Sequence, residues 1–142
     1  MILTVCTGNI CRSPIAAFAL ASHLPDADFD SAGLGALVGN DVDPKTRKAA
    51  EMQGLEVPVH SAQQCTQELV LGAKAILVME NHHRRDIMRR WPFASGKTFL
   101  LGHFEDQKKI PDPYRMGVAA HMHSVSLILE SAKIWAQKLK DV

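Results

Sequence analysis

The chain has little of several features that would assign it to a specialised class of protein. Its 142 residues include 16 lysines and arginines against 15 aspartates and glutamates, so neither sign of charge dominates. A nucleic-acid partner is therefore not expected, because such proteins carry a basic excess. No apolar run approaches the length of a membrane span, and the first residues include no basic leader. We expect one globular domain, residues 1–142, that remains in the cytoplasm without membrane insertion.

Cysteine and tyrosine are also scarce. The thiols are limited to Cys6, Cys11 and Cys65, an odd number. In a compartment that keeps thiols reduced, a structural disulfide framework is not expected, so each thiol is free for a chemical role. Tyr114 is the only tyrosine. Any regulatory phosphotyrosine on the chain itself would have to lie there.

What the chain does contain is an alternation of short apolar runs with amphipathic stretches. This alternation predicts an α/β fold: a single-domain three-layer sandwich whose central, mostly four-stranded parallel sheet has helices on both faces. The predicted strands are Met1 to Val5, Asp28 to Ala32, Ala75 to Met79 and Lys97 to Leu101. The predicted helices are Pro14 to Leu24, Pro44 to Gly54, Asn81 to Arg90 and Met116 to Lys140.

Two local expectations accompany these elements. Asn81 is the residue type that caps a helix start, and we expect it to cap the third helix. In the longest helix, apolar residues recur at steps of four and three, which predicts one buried face. That face comprises Val118, Met122, Val125, Leu129, Ala132, Ala136 and Leu139.

The most informative stretch is VCTGNICRSP, residues 5–14, between the first predicted strand and helix. The loop from Cys6 to Arg12, called the anion loop below, is short enough to curl around a small anion, so that its backbone N–H groups converge. Gly8 and Asn9 are the residue types that most readily adopt the left-handed backbone conformation such a nest requires. The helix that follows directs its free N–H groups and its dipole at the same point. The sequence therefore predicts a site for a tetrahedral dianion.

Three side chains would supply the chemistry at this site. Arg12 can present a planar fork to two phosphoryl oxygens. Cys6, at the base of the loop, would be stabilised as a thiolate and would attack the bound phosphorus, forming a phosphocysteine that water later releases. Asp112, between two prolines in IPDPY, is the candidate acid for the first step and base for the second. This scheme requires no metal and no cofactor.

VCTGNICRSP together with the distant DPY at residues 112–114 closely resembles the low molecular weight protein tyrosine phosphatases, over almost the full chain. The Ser31–Gly33 segment, Met79–Glu80 and the length also match that family. The resemblance implies a small parallel sheet flanked by helices, and hydrolysis of phosphotyrosine.

The resemblance also implies roles for individual residues. Cys6 would be the nucleophile, Arg12 the phosphate-binding and transition-state-stabilising residue, and Asp112 the acid. Leu37 and Tyr114 would form walls of the cleft that accepts the phenyl ring. The implied phosphate-binding and loop-supporting residues are Thr7, Gly8, Asn9, Ile10, Cys11, Ser13 and Ser31, with Asn9 and Ser31 bracing the loop and Ser13 contacting the thiolate.

Two segments, residues 31–39 and 110–115, look most like bacterial members associated with capsule and exopolysaccharide export. Those enzymes dephosphorylate the tyrosine-rich tail of a membrane-bound tyrosine kinase. The implied partner is therefore a phosphotyrosine protein of that kind, an exopolysaccharide-associated tyrosine kinase.

Other residues admit more than one interpretation. Cys11 is either a buried thiol at the helix start or the partner of a disulfide that shields Cys6 from irreversible oxidation. Cys65 is expected to be structural. His82 and His83 are expected on a solvated, charged helix face, because no carboxylate or cysteine stands at metal-ligand spacing from them.

Two other functions compete with hydrolysis. A thioredoxin-coupled arsenate reductase reuses this anion loop but needs two further cysteines beyond the middle of the chain, and residues 66–142 contain none. A non-catalytic phosphotyrosine-binding module is expected to have lost the nucleophile, the arginine or the acid, and all three are present.

Overall fold

The computed structural model describes residues 1–141, in which four parallel strands form one sheet. Apolar residues alternate faces along the first strand, so that Leu3 and Val5 pack on one side and Cys6 on the other. The strand order is β2-β1-β3-β4, and the strands are β1 Ile2–Cys6, β2 Phe29–Gly33, β3 Ala75–Val78 and β4 Thr98–Leu100.

Helices cover both faces of this sheet and bury its two sides. One face packs on the first, second and fifth helices, and the other on the third and fourth. The predicted three-layer α/β class is therefore confirmed. The helices are α1 Arg12–His23, α2 Pro44–Met52, α3 Gln67–Gly72, α4 Asn81–Arg90 and α5 Val118–Lys140.

The element predictions were incomplete in the second half of the chain. Helix α3 and the short 3-10 turn Pro92–Lys97 were not predicted, because each is only six residues long and shows too little periodicity. The prediction of the buried face of α5 was partly wrong, since Val118 is 53% exposed. The observed buried face also contains polar residues, whose side chains form hydrogen bonds with other parts of the protein. The buried residues of α5 are His121, Ser124, Val125, Ile128, Ser131, Ala132, Trp135 and Ala136.

The predicted cap of α4 was wrong by one residue. Glu80 is the N-cap, with extended backbone, and Asn81 is the first helical residue. Glu80 and His83 form a capping box, in which each side chain bonds to the backbone of the other residue. This pair stands directly after β3, at the edge of the sheet where the anion loop lies.

The carboxyl ends of the central strands bring distant segments together. In the parallel register, Cys6 at the end of β1 lies opposite Gly33 of β2, and Val5 opposite Val78 of β3. Open parallel sheets bind ligands at this edge. Within residues 1–141, no helix is long and apolar enough to cross a membrane.

Candidate active site

The loop between β1 and α1 encloses one side of a cavity of about 120 Å³. Asn9 holds its tight curve with a φ of 59°, the left-handed conformation expected of this residue type. Gly33 allows the loop to approach β2, because a Cβ there would overlap the backbone oxygen of Thr7. The cavity is lined by Cys6, Thr7, Gly8, Ile10, Cys11, Arg12, Gly35, Leu37, Asp112 and Tyr114.

Cys6 lies at the base of this cavity and is 2% exposed. Its Sγ is 2.9 Å from Ser13 Oγ, and the backbone N–H of Ser13 donates to the same sulfur at 3.4 Å. Both contacts come from the first turn of α1, whose dipole favours negative charge. The hydroxyl, the amide and the helix dipole all stabilise a thiolate at this position.

Asn9 joins the loop to three neighbouring segments. Its Nδ2 donates to Ser13 Oγ at 2.8 Å and to Ser31 Oγ at 3.0 Å. Its Oδ1 accepts from the Gln63 backbone N–H at 2.9 Å, and its carbonyl lies 2.7 Å from His60 Nε2. The loop is thus fixed from behind before an anion binds. Sequence reasoning missed His60 and Gln63, which carry no local signal and meet Asn9 only in the fold.

Arg12 is 2% exposed, yet its guanidinium faces the cavity. Its Nη1 donates to Glu80 Oε2 at 2.8 Å and to the Ile110 carbonyl at 2.8 Å. Burial opposes ionisation of Glu80, but hydrogen bonds from Arg12 and His82 outweigh it and hold the pKa of Glu80 below its ordinary value. The carboxylate therefore stays charged and orients the arginine fork.

Asp112 projects from a loop that is tied to the rest of the site. Its Oδ2 is 3.7 Å from Arg12 Nη2, and its Oδ1 accepts from the Tyr114 N–H at 3.0 Å. The carbonyl of Pro111 accepts from Ser124 Oγ of α5 at 3.0 Å. The structure thus brings Asp112 to the same cavity as Cys6 and Arg12, although more than 100 residues separate it from Cys6.

The walls of the cavity are apolar above the anion loop. Leu37 stands on one side, where its backbone N–H donates to the Gly8 carbonyl at 3.0 Å, and Tyr114 belongs to the loop that carries Asp112. Ile10 contributes a further apolar side chain, and Gly35 was not predicted. A narrow apolar cleft above an anion site suits an aromatic ring that bears a phosphoryl group.

The prediction that His82 and His83 lie on a solvated face was wrong for His83, which is 1% exposed. A carboxylate also accompanies the pair, since donor atoms of Glu80, His82 and His83 lie within 4.8 Å of one another. These donors already have protein partners, however. Glu80 Oε2 bonds to Arg12, and His83 Nε2 lies 3.0 Å from Thr7 Oγ1. The three residues belong to the support of the anion loop.

A protein-family model and several known proteins match this chain over all or nearly all of its length. The family model described as low molecular weight phosphotyrosine protein phosphatase matches residues 1–142. The chain belongs to the low molecular weight phosphotyrosine protein phosphatase family. This membership places it among the phosphoric monoester hydrolases.

Individual relatives of this phosphatase match over nearly their full length. The protein-tyrosine-phosphatase Wzb of Escherichia coli K12 is 40% identical, covering 97% of this chain and 94% of that protein. The crystal structure of Wzb from Escherichia coli K30 in complex with sulphate matches with a TM-score of 0.94 and 44% identity, covering 97% and 96% of the two chains.

Two further structures bear on the ligands that this fold accepts. Vibrio vulnificus Wzb in complex with benzylphosphonate has a TM-score of 0.93 and 41% identity, covering 96% of this chain and 97% of that one. The YwlE arginine phosphatase from Geobacillus stearothermophilus has a TM-score of 0.92 and 31% identity, covering 99% and 92%. The architecture is thus shared by proteins with different phosphoryl substrates.

The three thiols of the phosphatase are expected to differ in reactivity. Burial raises the pKa of Cys11 to about 12 and that of Cys65 to about 11. At pH 8 nearly all of Cys11 is then protonated. We predict that iodoacetamide at pH 8 alkylates Cys6 first, as measured by peptide mass spectrometry, and that inorganic phosphate slows this reaction. Labelling of Cys11 as fast as Cys6 would contradict the prediction.

Proposed function

We propose that residues 1–142 form a single cysteine-based protein tyrosine phosphatase domain that hydrolyses phosphotyrosine through a phosphocysteine intermediate. The observation that carries the proposal is the convergence of Cys6, Arg12 and Asp112 on one cavity. The anion loop supplies the binding site, and the three side chains supply nucleophile, charge stabilisation and acid.

In the proposed first step, the Cys6 thiolate attacks phosphorus while Arg12 and the loop amides hold the equatorial oxygens. The bond between phosphorus and the tyrosine oxygen breaks. Asp112, protonated at this stage, gives its proton to the departing phenolic oxygen. The products are free tyrosine side chain and a phosphoryl group on Sγ.

In the proposed second step, a water molecule attacks the same phosphorus from the side that the tyrosine has left. Asp112, now a carboxylate, takes a proton from this water, and the bond between phosphorus and Sγ breaks. Inorganic phosphate leaves and the Cys6 thiolate is restored. The hydrogen bond from Ser13 Oγ, 2.9 Å from Sγ, stabilises the sulfur as a leaving group.

The shape of the cleft supports phosphotyrosine over phosphoserine. Cys6 is almost fully buried at the base of the cleft, which favours a phosphoryl group carried on a long side chain. The apolar side chains of Ile10, Leu37 and Tyr114 then line the path of the phenyl ring. Vibrio vulnificus Wzb, whose structure holds benzylphosphonate, supports an aromatic ligand in this fold.

The proposed physiological partner is an exopolysaccharide-associated tyrosine kinase whose tyrosine-rich tail is the substrate. Full-length similarity to Wzb supports this proposal, together with the resemblance of residues 31–39 and 110–115 to capsule-associated members. We place the reaction in the cytoplasm, where a reduced nucleophilic thiol persists.

The experiment that tests the proposal is hydrolysis of matched phosphopeptides by the wild-type chain in the presence of a metal chelator. We expect turnover of phosphotyrosine, with phosphoserine and phosphoarginine peptides at least about 100-fold slower in kcat/KM. Preferential turnover of phosphoarginine would instead identify the chain as an arginine phosphatase, the activity named for YwlE. Binding of phosphotyrosine without turnover would instead indicate a recognition module.

A further inference from the structure

The start of α4 contacts the anion loop with both of its capping side chains. Glu80 reaches Arg12, as described above, and His83 Nε2 lies 3.0 Å from Thr7 Oγ1. A capping box by itself only stabilises a helix end. Here the same two side chains also connect α4 to the two ends of the loop that surrounds Cys6.

The hydrogen-bond pattern of His83 fixes which ring nitrogen carries the proton. Its Nδ1 accepts the backbone N–H of Glu80 at 3.1 Å. In the neutral ring the other nitrogen, Nε2, is therefore protonated and donates to Thr7 Oγ1. Burial and the neighbouring Arg12 charge lower the pKa of His83 to about 3, so the ring is neutral at working pH.

This assignment determines what the Thr7 hydroxyl can do. Because its oxygen accepts a hydrogen bond from His83, its own proton is left for another acceptor. The Thr7 carbonyl is already used, since it accepts from the Gly35 N–H at 3.0 Å. Thr7 is exposed and lines the cavity next to Cys6, so the acceptor for this proton is water in the free protein and an oxygen of the phosphoryl group once substrate binds.

We propose that the Thr7 hydroxyl is an additional donor to the phosphoryl group and that His83 is the positioning residue that orients it. The inference deepens the proposed function and rests on it. Unlike a backbone amide, a hydroxyl rotates about its C–O bond, and the hydrogen bond that Oγ1 accepts from His83 keeps the hydroxyl proton directed away from the ring before substrate binds. This proton can then be donated to a phosphoryl oxygen as negative charge develops in the transition state.

Four variants and one control separate this role from a purely structural one. Thr7→Val removes the hydroxyl at constant shape, whereas Thr7→Ser keeps it. In His83→Asn, the amide oxygen replaces Nδ1 as the acceptor for the Glu80 N–H and so keeps the cap of α4, but the hydrogen bond from Nε2 to Thr7 is lost. His83→Gln restores a donor near the Nε2 position. His123→Asn, at an exposed residue of α5, is the matched control for the substitution itself.

We expect Thr7→Val and His83→Asn each to lower kcat/KM for a phosphotyrosine peptide by about five- to tenfold, the size of one hydrogen bond. The double variant should lose no more than the worse single variant, because both break the same interaction. Thr7→Ser, His83→Gln and His123→Asn should stay within about threefold of wild type.

Binding of vanadate and inorganic phosphate, measured by calorimetry, provides a readout that does not depend on turnover. Vanadate adopts a geometry like that of the transition state, so its affinity should fall in Thr7→Val and His83→Asn by the same factor as kcat/KM. Full vanadate affinity in both variants would overturn the inference, even if His83→Asn lowers the melting temperature. Absence of turnover in the wild type would instead overturn the proposed function, while the vanadate comparison would still decide the role of Thr7.

Discussion

Replacing Cys6 with serine is expected to lower kcat for phosphotyrosine by about four orders of magnitude or more. Serine is nearly isosteric, so the anion loop should still bind inorganic phosphate. Its hydroxyl, however, is not ionised under these conditions and is a far weaker nucleophile than a thiolate. The contacts from Ser13, which stabilise negative charge on sulfur at 2.9 Å, then have no charge to stabilise.

The matched control is Cys65→Ala. Cys65 is also buried, but it packs in the apolar cluster on the other face of the sheet and does not line the cavity. We expect this variant to lose some stability and to keep its kcat. Steady-state kinetics with a phosphotyrosine peptide measure both variants. A Cys6→Ser protein with more than about one hundredth of wild-type kcat would rule out sulfur as the nucleophile.

The second large effect is expected for Asp112→Asn. The amide cannot give a proton to the phenolic oxygen, so kcat for phosphotyrosine should fall by about 100- to 1,000-fold. The loss should be smaller for p-nitrophenyl phosphate, whose leaving group needs little protonation.

Asp26→Asn provides the control, since Asp26 is exposed and does not line the cavity. Comparison of both variants on the two substrates distinguishes loss of an acid from a general loss of folding. If Asp112→Asn slowed the two substrates equally, Asp112 would contact the substrate without transferring a proton.

The fold and the position of the loop were largely predictable because their signals are local. Alternating apolar runs identified the four strands, and residues 5–14 hold the anion loop in one continuous segment. Asp112 is distant in sequence, and only its setting between two prolines and the family resemblance indicated it.

The support of the loop was not predictable in the same way. His60, Glu80 and His83 contact residues of the loop that are far away in sequence, so these contacts exist only once the chain has folded. Histidines beside several arginines have the composition of a solvated face, and nothing local shows that His83 is buried. The buried face of α5 was partly mispredicted for the same reason, because its buried polar residues form hydrogen bonds with residues that are distant in sequence.

The phosphocysteine intermediate is tested most directly by rapid acid quenching of the wild-type phosphatase during turnover of a phosphotyrosine peptide, followed by peptide mass spectrometry. We expect a transient phosphoryl group on the peptide that contains Cys6, absent from Cys6→Ser and more persistent in Asp112→Asn, where the second step lacks its base. Turnover with no phosphorylated Cys6 at any quench time, with direct transfer of the phosphoryl group to water, would contradict it.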